Sequence, residues 1–367
     1  MQNDPQHPPK TDAGLPLAAR LFLLGLAIFF LDVAALAVAN LQLQSIHFNQ
    51  WFYGDEAVQL ARTPGGEVMA TRMALWPAAI AFPLWVAGVA VLVRGLRIAT
   101  PGDVGLTFDG FWRDVSWGLA AGVVVTPLVL GLNYGVAWLL KASLNFDAHE
   151  HPLAAAGQQG LLPIEWTLLA FTVMVAAPAR EELLFRGILQ RMLGQSGWGA
   201  HAGMGLALLF ALFSSINAHS HRQQLIRDDP DAAVAAAFPE KSDPIFADSF
   251  VSDFMPTLFI LAMVPVYLVV WWRSAPSKAI APPVNYPDIE PSDASQQSHS
   301  NAPTVFATAL LFGAVHSFAW PTPIALFVLG LVLGYLTLRT RSLVAPVILH
   351  SLFNGVSFVL LFWGWGS

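Results

Sequence analysis

Windows of about twenty apolar residues recur along this chain, the length of helix that a bilayer core requires. They lie near 17–40, 74–94, 115–140, 165–192, 200–217, 254–272, 303–319, 322–338 and 343–363. Inside a bilayer every backbone polar group must pair within the protein, which restricts spanning segments to helices and closed barrels. The windows are continuously apolar and do not alternate, so they predict an all-α, polytopic transmembrane helix bundle of eight or nine spans. Composition agrees, with 55% hydrophobic and only 11% charged residues, where a soluble domain has about a quarter charged. The mean hydropathy is +0.56. Cysteine is absent, which excludes disulfides and thiol nucleophiles of the chain's own. Basic clusters with interleaved aromatics are also missing, so nucleic acid is not an expected partner.

The first window follows a polar tail, 1–16, and is too long for a signal-peptide core, so a retained anchor is expected. Lys10, Arg20, Arg94, Arg97, Arg113, Arg191, Arg273, Lys278, Arg339 and Arg341 fall on one side if every window spans. The positive-inside rule makes that side cytoplasmic, with a cytoplasmic N-terminus in a plasma (inner) membrane. Arg62, Arg72, Arg222 and Arg227 fall on the other side. Tryptophans near window ends, among them Trp76, Trp112, Trp138, Trp198, Trp272 and Trp320, suit interfacial belts. The organisation read from these features is N-terminal transmembrane helices over 17–160, a motif-bearing helix over 161–199, and C-terminal motif-bearing helices over 303–367. Between them, 200–302 reads as an inserted segment with two apolar helices, an acidic loop and a Pro/Ser-rich linker expected to be disordered.

Within the window at 165–192 stands "EELLFRG", residues 181–187. Ionisable groups inside a span are costly and are usually paired or functional. Glu182 and Arg186 are four apart and share a helical face. Glu181 is rotated about 100° from its neighbour and can address a different space. Further on, "FGAVH" places Phe312 and His316 four apart, and "HSLFN" does the same for His350 and Asn354. At 1.5 Å per residue, Glu181 lies about 15 Å from the cytoplasmic end and His350 about 13 Å, with Asn354 and His316 each about 20 Å in. Each group alone is more often a helix–helix contact than a site. Four groups at one depth reverse that balance, since they comprise a base, two imidazoles and an amide. Asp32, in the first window, has no evident partner, and the histidines of "DAHEH" (147–151) and "NAHSH" (217–221) read as solvated loop residues.

Neither H-E-x-x-H nor G-x-S-x-G occurs, and no second aspartate accompanies Asp32 in a span. What remains is a glutamate with histidines. Glu181 could deprotonate a water while a histidine and Asn354 stabilise the resulting oxyanion. Equally, Glu181, His316 and His350 could ligate a divalent metal such as zinc. A pathway for ions or protons fits less well, because its acids would be strung across the bilayer.

In this order "EELLFRG", "FGAVH" and "HSLFN" resemble the E-E-x-x-x-R, F-x-x-x-H and H-x-x-x-N motifs of the CAAX protease and bacteriocin-processing (abortive-infection) family of intramembrane proteases, related to the type II CAAX prenyl endopeptidase. The similarity covers roughly 165–362, with 200–300 standing apart. It implies an endopeptidase in which Glu181 activates water, His316 helps hold it, Glu182 and Arg186 support the site, and His350 and Asn354 form the oxyanion-binding or second coordinating group. The implied partners are membrane lipid and a membrane-bound peptide or protein, prenylated or of bacteriocin type. A mechanism that requires no cofactor is favoured over a metal-dependent one, because ordered outer hydrogen bonds around the histidines are not evident. A non-catalytic scaffold or immunity protein of the same fold is the alternative, although it would not need a free Glu181 beside a neutralised Glu182.

Overall fold

The computed structural model describes residues 15–63, 66–96, 98–144, 161–228, 249–274 and 301–363. Among them every regular element is helical. Helix α1 (Leu17–Ser45) packs on α4 (Glu67–Ala90), and two short helices, α2 (Phe48–Tyr53) and α3 (Asp55–Leu60), connect them. Helix α5 (Phe111–Leu144) follows. The chain from 163 to 193, α6, is one continuous helical rod of unusual build. Three α-helical pieces, Pro163–Phe171, Ala177–Glu182 and Gln190–Leu193, are joined by π-helical turns at Thr172–Ala176 and Leu183–Leu189. Helices α7 (Gly199–Asp228), α8 (Ser249–Ser274), α9 (Ala302–Ala314), α10 (Thr322–Thr340) and α11 (Val344–Trp363) complete the bundle.

Six helices are long and apolar enough to cross a membrane: α1, α4, α5, α7, α8 and α10. The π turns divide α6, while α9 and the apolar part of α11 are shorter. Outward faces agree with a lipid solvent, since α1 leaves Phe22, Phe29 and Phe30 exposed. The expected span at 303–319 ends early, at Ala314. His316 N–H bonds the Gly313 carbonyl, tightening the chain into a turn. Pro321 and Pro323 follow and disfavour any continuation of the helix. Helix α9 is buried all round, from Pro303 through Ala314, among α7, α8 and α10. The described parts of 200–302, α7 and α8, supply Ala207, Ala211, Ile260 and Tyr267 to the same core as Phe312 and Leu329.

Some parts of the chain sit differently from expectation, and others lie outside the described residues. "NAHSH" is helical, within α7, and His219 contacts the Asp253 carboxylate on α8 at 3.1 Å. Trp320 is buried rather than interfacial, and Trp76 is half-buried, its indole N–H donated to the Tyr53 hydroxyl. Trp112, Trp138, Trp198 and Trp272 are exposed, as belts require. "DAHEH", most of the acidic loop and nearly all of the Pro/Ser-rich linker lie outside the described residues.

Two features fix α6. At its start Glu165 is fully buried and folds back to accept the Leu162 N–H at 2.7 Å, one half of a capping box. The same carboxylate takes two bonds from Arg72 (3.0 and 2.8 Å) and one from the Tyr53 hydroxyl (2.7 Å). This pairing accounts for Arg72, which sits on the side with few arginines. Further along, Gly330 and Gly334 of α10 let neighbours approach closely. A Cβ at Gly330 would lie 3.0 Å from the Ala309 Cα and 3.1 Å from its Cβ. Gly330→Val should therefore spread α9 from α10 and lower the melting temperature in detergent. Overpacking of this kind costs about 1–3 kcal/mol, and an unchanged melting curve would show that the two helices can part freely.

Candidate active site

The second π turn of α6 begins at Leu183, directly after Glu181 and Glu182, and contains Arg186. Such turns interrupt the regular ladder and are often found at functional sites. Glu182 and Arg186 are both buried, with side-chain exposures of 0% and 1%. Arg186 donates to Glu182 Oε1 at 3.0 Å and to the Gly330 carbonyl at 3.4 Å. Its guanidinium lies over the Phe312 ring, 4.4 Å from the centroid. The pairing read from the sequence is present, and it is reinforced by an aromatic platform and a backbone acceptor. Phe312 is central to the cluster, for its ring also meets His316 (5.0 Å) and His350 (5.6 Å) edge to face.

Each histidine commits its Nδ1 to an acceptor. His316 Nδ1 lies 2.8 Å from the Phe312 carbonyl. A carbonyl only accepts, so that nitrogen carries the proton. His350 Nδ1 lies 2.8 Å from Glu182 Oε1, which already accepts from Arg186. As the acceptor in an ion pair, this carboxylate also accepts a hydrogen bond from the histidine Nδ1–H. With Nδ1 engaged in this way, both rings turn Nε2 toward the same group. Glu181 Oε2 is 3.8 Å from His350 Nε2 and 4.0 Å from His316 Nε2. Among protein atoms this buried oxygen has no hydrogen-bond partner. Glu181 as a whole is the accessible carboxylate of the pair, at 28% exposure against 0% for Glu182.

The spacing can be set against two kinds of occupant. Oxygen–nitrogen distances of 3.8 and 4.0 Å exceed direct hydrogen bonds but suit groups bridged by a water. Tetrahedral ligands about 2.0 Å from zinc would be about 3.3 Å from one another. Among the described residues, no trio of His, Cys, Asp or Glu is drawn together tightly enough to hold an ion. Yet the outer hydrogen bonds that metal-bound histidines use, not evident from sequence, are present at Phe312 and Glu182.

Asn354 is placed differently from the other motif residues. One of its amide N–H groups donates to the Val173 carbonyl at 2.9 Å, within the first π turn of α6. It thus ties α11 to α6, one turn beyond His350. The structure also supplies a partner for Asp32. Arg180 Nε is 3.3 Å from Asp32 Oδ1, and the guanidinium lies 5.7 Å from the ring centroids of Phe82 and Trp85 on α4. Neighbouring residues on α6 therefore face opposite ways, Arg180 toward α1 and α4 and Glu181 toward the histidines. Sequence reasoning missed Arg180, although an arginine beside two glutamates inside an apolar window was itself a signal.

A family model described as type II CAAX prenyl endopeptidase Rce1-like matches residues 163–283 and 292–356. This match runs from α6 through α7 and α8 to α11 and includes every residue of the cluster. No curated protein and no solved structure matches the chain.

Proposed function

The chain belongs to the Rce1-like family of type II CAAX prenyl endopeptidases, and from that premise we propose that this membrane-embedded protease hydrolyses peptide bonds with a water activated by Glu181. The observation that carries the reading is the convergence of Glu181 Oε2 with two imidazole Nε2 atoms at 3.8 and 4.0 Å. A water seated among these three acceptors donates one hydrogen to the carboxylate and the other to an imidazole. Glu181 takes the first proton as the water oxygen bonds to the peptide carbonyl carbon. Asn354, with two amide N–H groups and one committed to Val173, has the second to offer the oxyanion. Cleavage of the C–N bond then returns the proton from Glu181 to the leaving amine. Glu182 and Arg186 do not touch the water. They hold His350 in the tautomer that presents Nε2 to it.

The substrate class proposed is a membrane-held peptide or protein, prenylated, as the CAAX description of the family suggests, or of bacteriocin type. The orientation proposed is a cytoplasmic N-terminus in the plasma (inner) membrane, supported by arginines at the ends of α4, α6, α8 and α10. The mechanism proposed is the metal-free one, so no step here runs through an ion. Chelation tests this reading directly. Purified protein assayed on a membrane-tethered peptide should keep most of its turnover after incubation with a permeant chelator, at a measured metal content well below one per chain. Activity that vanishes on chelation and returns with zinc would make Glu181, His316 and His350 ligands instead.

A further inference from the structure

Away from the Glu181 cluster, a cavity of about 800 Å³ opens where α6 and α10 end and α5 and α9 begin. Its lining includes Arg113, Arg191, Arg341, Gln195 and Asn301, with Asp109 as its one carboxylate. The positive-inside rule explains why arginines lie on this side of the bundle. It does not explain their convergence on one concavity. Arg113 is neutralised by the buried Asp114, whose Oδ1 accepts its Nε and Nη2 at 3.1 and 2.9 Å. Although the Asp103 carboxylate acts on it through space, Arg191 makes no direct salt bridge among the described residues. It donates to the carbonyls of Gly102 (3.0 Å) and Arg341 (3.3 Å), and its Nε has no partner. Arg341 is exposed, and no carboxylate among the described residues pairs with it. Asp103 is itself offset by Arg20 at 4.0 Å, so with Asp109 set against Arg191 and Arg341 the cavity keeps a net positive charge.

The backbone there is also unusual. Arg341 adopts φ +56°, a left-handed conformation that arginine rarely takes and that the bond from Arg191 helps hold. Phe108 and Trp112, close in sequence to Asp109 and Arg113, are exposed. Exposed aromatics mark the depth at which a bilayer passes from chains to headgroups. A polar, cationic concavity at that level matches an anion with several strong acceptor oxygens, for which the arginine fork is suited.

We propose that this cavity binds an anionic phosphate group, with the headgroup of an acidic membrane lipid as its natural source. The test uses the full-length protein in neutral detergent, with phosphatidylglycerol, phosphatidylcholine or inorganic phosphate added at matched ionic strength. Melting temperature and native mass spectrometry are the readouts. Phosphatidylglycerol should raise the melting temperature and persist as a bound adduct, whereas phosphatidylcholine should do neither. A response to inorganic phosphate as well would identify the phosphate ion as sufficient, and a response to the lipid alone would assign the headgroup. Arg341→Asn should weaken binding roughly fivefold, as expected for one interfacial basic residue, because asparagine tolerates positive φ and leaves the backbone in place. Arg341→Lys should largely retain it. No response to either phosphate source, equal responses to both lipids, or unchanged binding by Arg341→Asn would overturn the proposal.

Discussion

Glu181→Gln should abolish peptidase turnover, by roughly the 10²–10⁴-fold that a positioned general base contributes, while the protein inserts and melts as before. Glu181 Oε2 has no hydrogen-bond partner within the protein, so an amide there breaks no existing bond. Gln conserves the volume between the two imidazoles, but its amide cannot take a proton from water. Turnover should be measured on a membrane-tethered peptide in proteoliposomes, beside a thermal melt of the same preparation. Near-native turnover with an unchanged melt would end the assignment of Glu181 as the base. If the parent protein itself cleaves nothing across a library of membrane-held peptides, the scaffold alternative gains ground.

Arg186→Ala should instead be a stability mutant first. Removing one partner of a buried ion pair leaves the other charge uncompensated, at a cost of about 3–5 kcal/mol. Here the side chain also supplies a guanidinium over Phe312 at 4.4 Å and a bond to the Gly330 carbonyl. All of this is lost together, so the melting temperature should fall by several degrees or more. Arg186→Lys should recover only part of the loss, since an ammonium keeps the charge but cannot lie flat on the ring while reaching both acceptors. Activity should fall as well, because Glu182 holds the His350 tautomer. A variant with wild-type melting would show that Glu182 is stabilised by something other than Arg186.

What could be read from the residues alone was whatever repeats along a helix. The four-residue spacings of Glu182 with Arg186 and of Phe312 with His316 correspond to contacts in the structure, and the depth arithmetic brought Glu181, His316 and His350 to one level. Periodicity says nothing about which way a helix is turned by its neighbours. Asn354 shares a face with His350, yet its amide reaches back to Val173 because a π turn lies beside it. Asp32 and Arg180 meet across 148 positions of sequence, and only the packing of α1 on α6 could disclose that. The early end of α9 was legible in Pro321 and Pro323, but a hydropathy window averages over such signals. The burial of Trp320 was not legible, for the same residue type serves both belts and cores.

The two π turns of α6 bear on how this chain can vary. A π turn accommodates about one residue more than the α-helix around it, and each residue advances a helix by about 100°. Loss of one position within Leu183–Leu189 could be absorbed by closing the turn into ordinary α-helix, at little expense to the rod itself. Everything beyond it would then face a new direction: Gln190 would leave the Gly334 carbonyl and Arg191 the Gly102 carbonyl. A single-codon deletion here would be silent to any measure of helix content yet would undo these contacts of α6 with its neighbours, whereas many side-chain exchanges on the lipid-facing surface would pass unnoticed. Among descendants of this chain, length between Glu181 and Gln190 should therefore be kept more strictly than the identity of the residues that fill it.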